Sequence, residues 1–563
     1  MQILRSFYLR QVLLALAHAL SLLFALSPFD LWPLGVVAVA AVVAAAAGLY
    51  RAPARRIVLT WIVFAFATTF IAFGWIVATI HRYTGERPLL SFALALAYAL
   101  LFQLKFVGIF TLARYVDFGA LRDAGRMLAI AAFFAITEYL APELFPWSWG
   151  NAVASSGWLR QLAAIGSVYF VSLAAVFISL LCWQILWVDR DRRFAVRLRS
   201  QVIALLLAIT GVVTGGLLYY WPLQPEAGKL RTLVIQTNIG AAPEQKRSDH
   251  EFATDAINRL FNQSIEGAIL HSPLDLVVWP EASMPFHSAD ASPTNRGIYS
   301  PTFDAAAEYT SRRTGAALVF QDMFQAEVQL FSRLATRPDV GMKNYYLKRR
   351  LVPWGEFLPF GDIWPSLRNV FPEAGRYRAA EELNEITLQT GIVENTLRSR
   401  QQIEPELAFL TSGATVRQKL PQPRRGRQYI AKPAICYEAL YPADVRTRDA
   451  QLILNLASDA WFGDGIEGHQ HASAAVLRAV ENGVPIVRAA MSGVTVIADA
   501  KGDDIVARSM QNRAQIVFAE IALERRQTVF SRFGMSAFWA LALACLWPAL
   551  LGAFISARTA KNR

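Results

Sequence analysis

The chain begins with long apolar stretches separated by short polar loops, a pattern typical of membrane-spanning helices. A helix needs about 20 mainly apolar residues to cross a bilayer, and most of these stretches approach that length. The pattern predicts a seven-helix transmembrane domain over residues 1–221 and a closing transmembrane helix with a tail over 533–563. The eight predicted spans are residues 11–28, 31–50, 57–80, 89–114, 126–141, 161–187, 201–221 and 535–556.

The basic residues indicate how these spans are oriented. They follow the second, fourth, sixth and eighth stretches and also precede the first, so they lie on one side of the membrane. Because cytoplasmic loops carry an excess of Lys and Arg, both termini are expected in the cytoplasm and residues 222–532 outside the cytoplasmic membrane. The orienting residues are Arg5, Arg10, Arg51, Arg55, Arg56, Arg114, Arg122, Arg126, Arg190, Arg192, Arg193, Arg197, Arg199, Arg558, Lys561 and Arg563.

Composition agrees with a membrane protein that carries a water-soluble part. Of the 563 residues, 54% are hydrophobic and only 17% are charged. The net charge of +12 would allow nucleic-acid binding. Since many Lys and Arg lie in the loops between apolar stretches, we attribute the charge to membrane topology and expect no nucleic-acid partner. Ionisable residues are rare inside the spans, and Glu138 and Lys105 are the exceptions.

Residues 222–532 show a different pattern, in which short apolar strands alternate with amphipathic helices. This alternation predicts a layered α/β domain. Residues 362–428 form a long polar stretch with little periodicity, which we interpret as an insertion that could act as a lid. The predicted strands are 230–236, 274–279, 316–320, 433–435, 452–456, 485–489 and 493–498, and the predicted helices are 249–270, 303–313 and 471–482.

Three polar residues follow apolar runs or stand in aromatic, Pro-rich turns of this domain: Glu281, Lys348 and Cys436. A carboxylate, an ammonium and a thiol together make an acyl-transfer set. The glutamate takes the thiol proton, the thiolate attacks a carbonyl to form a thioester, and the lysine with a backbone N–H stabilises the oxyanion. The alternative is that Cys436 only packs, as we expect of Cys182 and Cys545, since free cysteines are commonly buried.

The motifs around these residues resemble a known family. LVVWPEASMP, YYLKRRLVPWGEFLPF and ICYEALYPADVR with NLASDAWFGD are similar to the three catalytic motifs of the carbon-nitrogen hydrolase (nitrilase) superfamily. Together with the spans before and after, they make the whole chain resemble the apolipoprotein N-acyltransferase family. The resemblance implies a multi-span α-helical membrane bundle plus an α/β nitrilase-like domain, an αββα sandwich.

The resemblance also implies roles for individual residues. Glu281 would be the general base, Lys348 the stabiliser of the tetrahedral intermediate and Cys436 the nucleophile. Supporting positions around the active site would be Glu356, Tyr437, Glu438 and Ser458.

The implied reaction moves an acyl chain from a phospholipid such as phosphatidylethanolamine to the α-amino group of a diacylglyceryl cysteine in apolipoproteins. We therefore expect a monomer in the bacterial inner membrane, with its catalytic domain on the periplasmic side, and no cofactor. We also expect no metal, since ligand spacings such as HExxH or paired CxxC are missing from the sequence.

The chain departs from the family pattern at several places, among them the PEASMP motif that begins at Pro280, the segment between Lys348 and Cys436, which is longer than expected, and the region after Gln236, which lacks a tryptophan. Ser458 stands where the family usually has Asn, and Arg349 or Arg350 replaces the His that usually precedes Leu351. These departures leave the acceptor open.

The alternatives are a membrane-anchored amidase or nitrilase that uses water, a paralogous acyltransferase with another amine acceptor, and a Cys–His protease that uses His469 or His471. A transporter or lipid-binding scaffold is the non-enzyme alternative.

Overall fold

The computed structural model consists of two compact units, one comprising Met1–Pro222 with Gln527–Arg563 and the other Leu223–Arg526. The structure describes residues 2–83, 87–121, 123–187, 194–239, 249–282, 300–326, 329–337, 344–369, 371, 374–390 and 426–547.

The first unit is helical, as its apolar stretches predict. Within the described residues its helices are α1 Gln2–Ala25, α2 Trp32–Ala47, α3 Ala54–Ala67, α4 Trp75–Tyr83, α5 Pro88–Phe102, α6 Lys105–Tyr115, α7 Ala124–Leu140, α8 Trp149–Val153, α9 Ala163–Trp187, α10 Phe194–Tyr220, α14 Val529–Phe533 and α15 Met535–Trp547.

These helices do not correspond one to one with the predicted spans. Four helical stretches of the described chain are long and apolar enough to cross a membrane, or five if α5 and α6, which are bent by 49°, form a single broken span. Helices α2 and α15 are apolar but shorter. The run 57–80 is not a single helix: α3 continues through a π-helical turn at Thr68–Ala72, and the turn residues Phe73 and Gly74 separate it from α4. The eight-span topology remains a prediction.

A buried polar cluster lies inside the first unit around Lys105. Its Nζ donates to the Trp147 carbonyl at 2.7 Å, pairs with the Glu143 carboxylate at 2.6 Å and lies 3.4 Å from the Trp147 ring centroid. The Glu138 carboxylate accepts the Trp149 N–H at 2.7 Å. Trp147 and Trp149 are therefore packed inside the unit, where their backbone groups bind buried charges.

The second unit contains two β-sheets and three described helices. The strands are β1 Gln224–Gln236, β2 Leu276–Val278, β3 Ala317–Ala326, β4 Gln329–Arg337, β5 Tyr345–Leu347, β6 Ile386–Gln389, β7 Gln428–Ile435, β8 Leu452–Ala457, β9 Ile486–Ala490, β10 Val496–Ala498 and β11 Gln515–Arg525. The helices are α11 Asp249–His271, α12 Ser300–Thr314 and α13 Glu467–Asn482.

Each sheet has a parallel centre and antiparallel edges. The first has the strand order β11-β1-β2-β3-β4-β5 and the second the order β10-β9-β8-β7-β6. Strands β1, β2 and β3 are parallel, as are β7, β8 and β9. The residues that follow the parallel strands are therefore gathered at the carboxyl edges of the two sheets, where open α/β folds usually hold their sites.

Helices cover the outer faces of the two sheets. One apolar core contains Leu260 of α11, Phe303 of α12 and Trp279 beside β2. The other places Val476 of α13 against Ile453 of β8. These buried layers, with the two sheets between them, confirm the predicted αββα arrangement.

The sheets are also joined at their carboxyl ends by hydrogen bonds. The Gln236 side-chain oxygen accepts the hydroxyl groups of Thr495 at 2.8 Å and Ser509 at 2.7 Å. The Asn238 N–H donates to the Met491 carbonyl at 2.8 Å. Residues that follow strands of different sheets can consequently share one site.

Four strands were not predicted from the sequence: β4, β5, β6 and β11. The predicted insertion 362–428 contains one strand, because β6 lies inside it and pairs with β7 from Ile386↔Ala431 to Gln389↔Gln428; the insertion itself stays a prediction. A four-residue edge strand gives too short an alternation to be recognised. Residues 391–425 of the predicted insertion lie outside the described residues.

Candidate active site

The predicted site residues stand at the ends of strands. Glu281 comes shortly after β2, Lys348 directly after β5, Cys436 directly after β7 and Ser458 directly after β8. All four are buried, with exposed fractions of 8% or less. The structure thus brings together residues that are up to 177 positions apart in the sequence.

Cys436 begins a 3-10 turn that runs to Leu440. Its φ angle is +48°, in the left-handed region that non-glycine residues rarely adopt, so the nucleophile candidate sits on a strained turn. Burial, followed by the nearby Glu281 carboxylate, raises the pKa of the Cys436 thiol well above its usual range, although Lys348 opposes this shift. The thiol is therefore protonated at neutral pH and needs a base before it can attack.

Lys348 lies between two carboxylates. Its Nζ is 3.1 Å from Glu281 Oε1 and 2.6 Å from Glu356 Oε1. Burial alone would lower the pKa of Lys348, but the carboxylates of Glu281 and Glu356 outweigh it and raise that pKa well above its usual range. An ammonium has three N–H donors, so two engaged carboxylates leave one for a bound oxyanion.

Glu281 and Cys436 meet at the backbone of Ser458. Glu281 Oε2 accepts the Ser458 N–H at 2.9 Å, and the thiol lies 4.0 Å from the Ser458 carbonyl oxygen. The second carboxylate, Glu356, is fixed by the Val352 N–H, which donates to Glu356 Oε2 at 2.8 Å. Glu281 and Glu356 therefore each bind Lys348 through one carboxylate oxygen and a backbone N–H through the other.

Glu438 holds the nucleophile turn against the lysine loop. Glu438 Oε2 accepts the Ile435 N–H at 2.7 Å, and Glu438 Oε1 accepts the Arg349 N–H at 2.7 Å. The same Oε1 also accepts the Arg350 N–H at 3.1 Å and the Tyr346 hydroxyl at 2.8 Å. Four donors on one buried carboxylate fix the spacing between Lys348 and Cys436.

The two other predicted support residues contribute in different ways. The Tyr437 hydroxyl lies 2.5 Å from that of Tyr441, so the ring next to the nucleophile is tied to its own turn. Ser458 acts through its backbone, and its buried Oγ has no hydrogen-bond partner among the residues that the structure describes.

A buried polar network behind Cys436 was missed by the sequence reasoning. The His471 ring lies 3.2 Å from the Cys436 carbonyl oxygen through Nε2 and 3.0 Å from Asp459 Oδ1 through Nδ1. Arg488 Nη2 donates to both oxygens of Asp459, at 3.0 and 2.7 Å, and Arg488 Nη1 donates to Asn455 at 2.6 Å. This network supports the strained turn from behind.

The network bears on two alternatives. Both ring nitrogens of His471 contact a carbonyl or a carboxylate, which argues against His471 as the base of a Cys–His protease. The Cys436, Asp459 and His471 donor atoms lie within 4.8 Å of one another and are the closest approach to a metal site among the described residues. Asp459 accepts hydrogen bonds from Arg488, and His471 contacts the Cys436 carbonyl, so both side chains already use their polar atoms in hydrogen bonds.

Comparison with known proteins shows which families both parts of the chain match. Residues 235–529 match the model of the carbon-nitrogen hydrolase family. The chain belongs to the carbon-nitrogen hydrolase family. Residues 18–181 match the apolipoprotein N-acyltransferase N-terminal domain, so the resemblance inferred from the motifs is confirmed.

Full-length relatives share both parts. The chain is 26% identical to apolipoprotein N-acyltransferase 1 of Leptospira interrogans, over 96% of each chain. It is 27% identical to the apolipoprotein N-acyltransferase of Pseudomonas putida, over 98% of this chain and 97% of the relative. Among solved structures, the carbon-nitrogen hydrolase from Helicobacter pylori G27 is 14% identical with a TM-score of 0.33, covering 57% of this chain and 94% of that chain.

Proposed function

We propose that this chain is an N-acyltransferase of lipoprotein maturation. It would move a fatty acyl chain from a membrane phospholipid, through a thioester on Cys436, to the α-amino group of the diacylglyceryl cysteine of an apolipoprotein. The observation that carries the proposal is the convergence of Glu281, Lys348 and Cys436 in a carbon-nitrogen hydrolase domain joined to apolar helices.

In the first half-reaction the protonated thiol requires a base, and Glu281 is the carboxylate placed for this role. Sulfur attacks the ester carbonyl of the phospholipid, and the developing oxyanion is stabilised by Lys348 and by the backbone N–H of Tyr437. The C–O bond of the ester then breaks. The lysophospholipid leaves with the proton that Glu281 received, and the acyl chain remains on Cys436 as a thioester.

In the second half-reaction the acceptor amine attacks the thioester carbonyl. Glu281 takes a proton from the amine, the C–N bond forms and the C–S bond breaks. Cys436 leaves as a thiolate and recovers the proton from Glu281. Since one site serves donor and acceptor in turn, ping-pong kinetics are expected.

The membrane unit fits lipid substrates on both sides of the reaction. Its apolar helices would hold the catalytic domain at the bilayer in which donor and acceptor reside. We place the chain in the bacterial inner membrane with the catalytic domain on the periplasmic side, as the basic loops indicate.

Intact mass spectrometry tests the proposal directly. The detergent-purified protein is incubated with phosphatidylethanolamine, in parallel with Cys436→Ala. A hydroxylamine-sensitive acyl adduct is expected only when Cys436 is present, and a diacylated lipopeptide should discharge it to a triacylated product. Hydrolysis of the adduct by water without a lipopeptide would favour the amidase alternative. Failure of every phospholipid to form the adduct would refute the proposal that a phospholipid is the acyl donor.

A further inference from the structure

Two arginines, Arg349 and Arg350, directly follow Lys348 in the chain. The side chains of Arg349 and Arg350 are each 42% exposed. Both contact the same carboxylate, Asp444: Arg349 Nη1 lies 3.4 Å from Asp444 Oδ1, and Arg350 Nε donates to Asp444 Oδ2. Two cations on one carboxylate leave a surplus positive charge at this surface.

The pair is held firmly relative to the nucleophile. Both backbone N–H groups donate to Glu438, two residues after Cys436. The Arg350 guanidinium lies 3.8 Å from the Tyr441 ring centroid, and the Tyr441 hydroxyl is 2.5 Å from that of Tyr437. Aromatic stacking and the shared carboxylate orient guanidinium planes that would otherwise be mobile.

We propose that Arg349 and Arg350 form the subsite for the phosphate group of the acyl donor. This inference rests on the proposed function, in which the donor is a phospholipid. A guanidinium has five N–H donors in a fork that matches two phosphate oxygens, and Asp444 occupies only part of each fork. The arginine backbones bind Glu438 in the turn that begins at Cys436. In a glycerophospholipid the phosphodiester lies a few bonds from the acyl ester, so a phosphate held by this pair would bring the ester toward that turn.

The simpler explanation is that the arginines only compensate Asp444, which is buried. A single arginine would balance that charge, however, and a purely structural pair would act alike on every acyl donor. The distinguishing quantity is therefore a ratio: kcat/KM for a phospholipid divided by kcat/KM for a neutral p-nitrophenyl ester of the same fatty acid, which lacks phosphate.

The test uses the full chain in detergent micelles with Arg349→Gln/Arg350→Gln. Loss of charge-assisted hydrogen bonds to the phosphate should lower the ratio by about tenfold or more. Arg349→Lys/Arg350→Lys keeps both charges but not the fork, so it should lower the ratio less. Arg508→Gln is the matched control, because Arg508 also pairs with one aspartate, Asp504, at 2.8 Å; its ratio should equal that of the wild type.

An unchanged ratio in the Gln pair, including an equal loss on both donors, would overturn the subsite. A second arm titrates inorganic phosphate against turnover of the neutral ester. If phosphate inhibits the wild type but not the Gln pair while the ratio is unchanged, the arginines bind free phosphate and the lipid assignment is wrong. A wild type that forms no thioester from phospholipid would instead refute the proposed function, since it fails before any variant is compared.

Discussion

Replacing Lys348 by methionine is the sharpest test of the site. The methionine keeps the length of the apolar stem and removes only the ammonium. It leaves the Glu281 and Glu356 carboxylates, which lay 3.1 and 2.6 Å from Nζ, buried and facing each other without a cation. Two neighbouring carboxylates in such a place cannot both stay ionised.

Two losses combine in this variant. Removing one donor from an oxyanion site slows the chemical step by about 10²–10³-fold. Burial already raises the pKa of Glu356, and losing the ammonium that opposes this shift raises it further. Glu281 loses the 3.1 Å contact with Nζ that fixes its Oε1, so it is no longer held in position to accept the thiol proton. Acylation should therefore fall by about 10³-fold or more.

The assay is the single-turnover rate of acyl-adduct formation, followed by intact mass spectrometry. Lys432→Met is the matched control: Lys432 is also a buried lysine, on β7, but its Nζ lies 5.9 Å from the Tyr346 ring centroid. The control should acylate within about threefold of the wild type, because Lys432 is not one of the three residues that we propose to act in catalysis. A Lys348→Met rate within tenfold of the wild type would refute the electrostatic argument.

Three further changes test other parts of the site. Burial and then Glu281 raise the pKa of Cys436, so Glu281→Gln should lower that pKa and speed alkylation by iodoacetamide at pH 8, while acyl transfer is lost; slower alkylation would contradict this. His471→Asn removes the contact to the Cys436 carbonyl and should lower kcat about 10-fold with a smaller change in KM, read from steady-state kinetics. Gly493→Ala would place a Cβ 1.8 Å from Asp459 Oδ2, so thermal unfolding should show a lower Tm and acylation should slow; a wild-type Tm would contradict the packing.

The parts of the site that the sequence could predict are those set by strand ends. Cys436 and Ser458 each follow an apolar run, and parallel strands place such residues at one edge. Glu281 and Lys348 were proposed because their motifs resemble a family pattern, and the structure brings both to the same place as Ser458 and Cys436. Glu356 and Glu438 came from the same motifs, but the geometry adds their function: one shares Lys348, and the other carries four donors.

The polar network of His471, Asp459 and Arg488 behind Cys436 could not be predicted, because it depends on side chains from three separate elements. His471 is one of several polar residues on α13, and Arg488 lies in the apolar strand β9. Only the folded arrangement shows that Arg488 pairs with Asp459, whose pKa is lowered to about 2, since the attraction of Arg488 and then of His471 outweighs the opposing effect of burial. A buried arginine in a strand was the available signal, because such a residue is almost never left without a partner.

The resting charge state also explains why a neutral thiol suits this site. Glu281 and Glu356 share the ammonium of Lys348, and burial keeps the pKa of Cys436 high, so little thiolate exists before a substrate arrives. Thiolates are the forms that oxidise, and a domain outside the cytoplasm, as proposed for this one, would face an oxidising environment. Reactivity would then arise only when an ester carbonyl enters and the proton moves to Glu281. A permanently ionised cysteine would attack faster, but it would be exposed to oxidation for as long as the site stood empty.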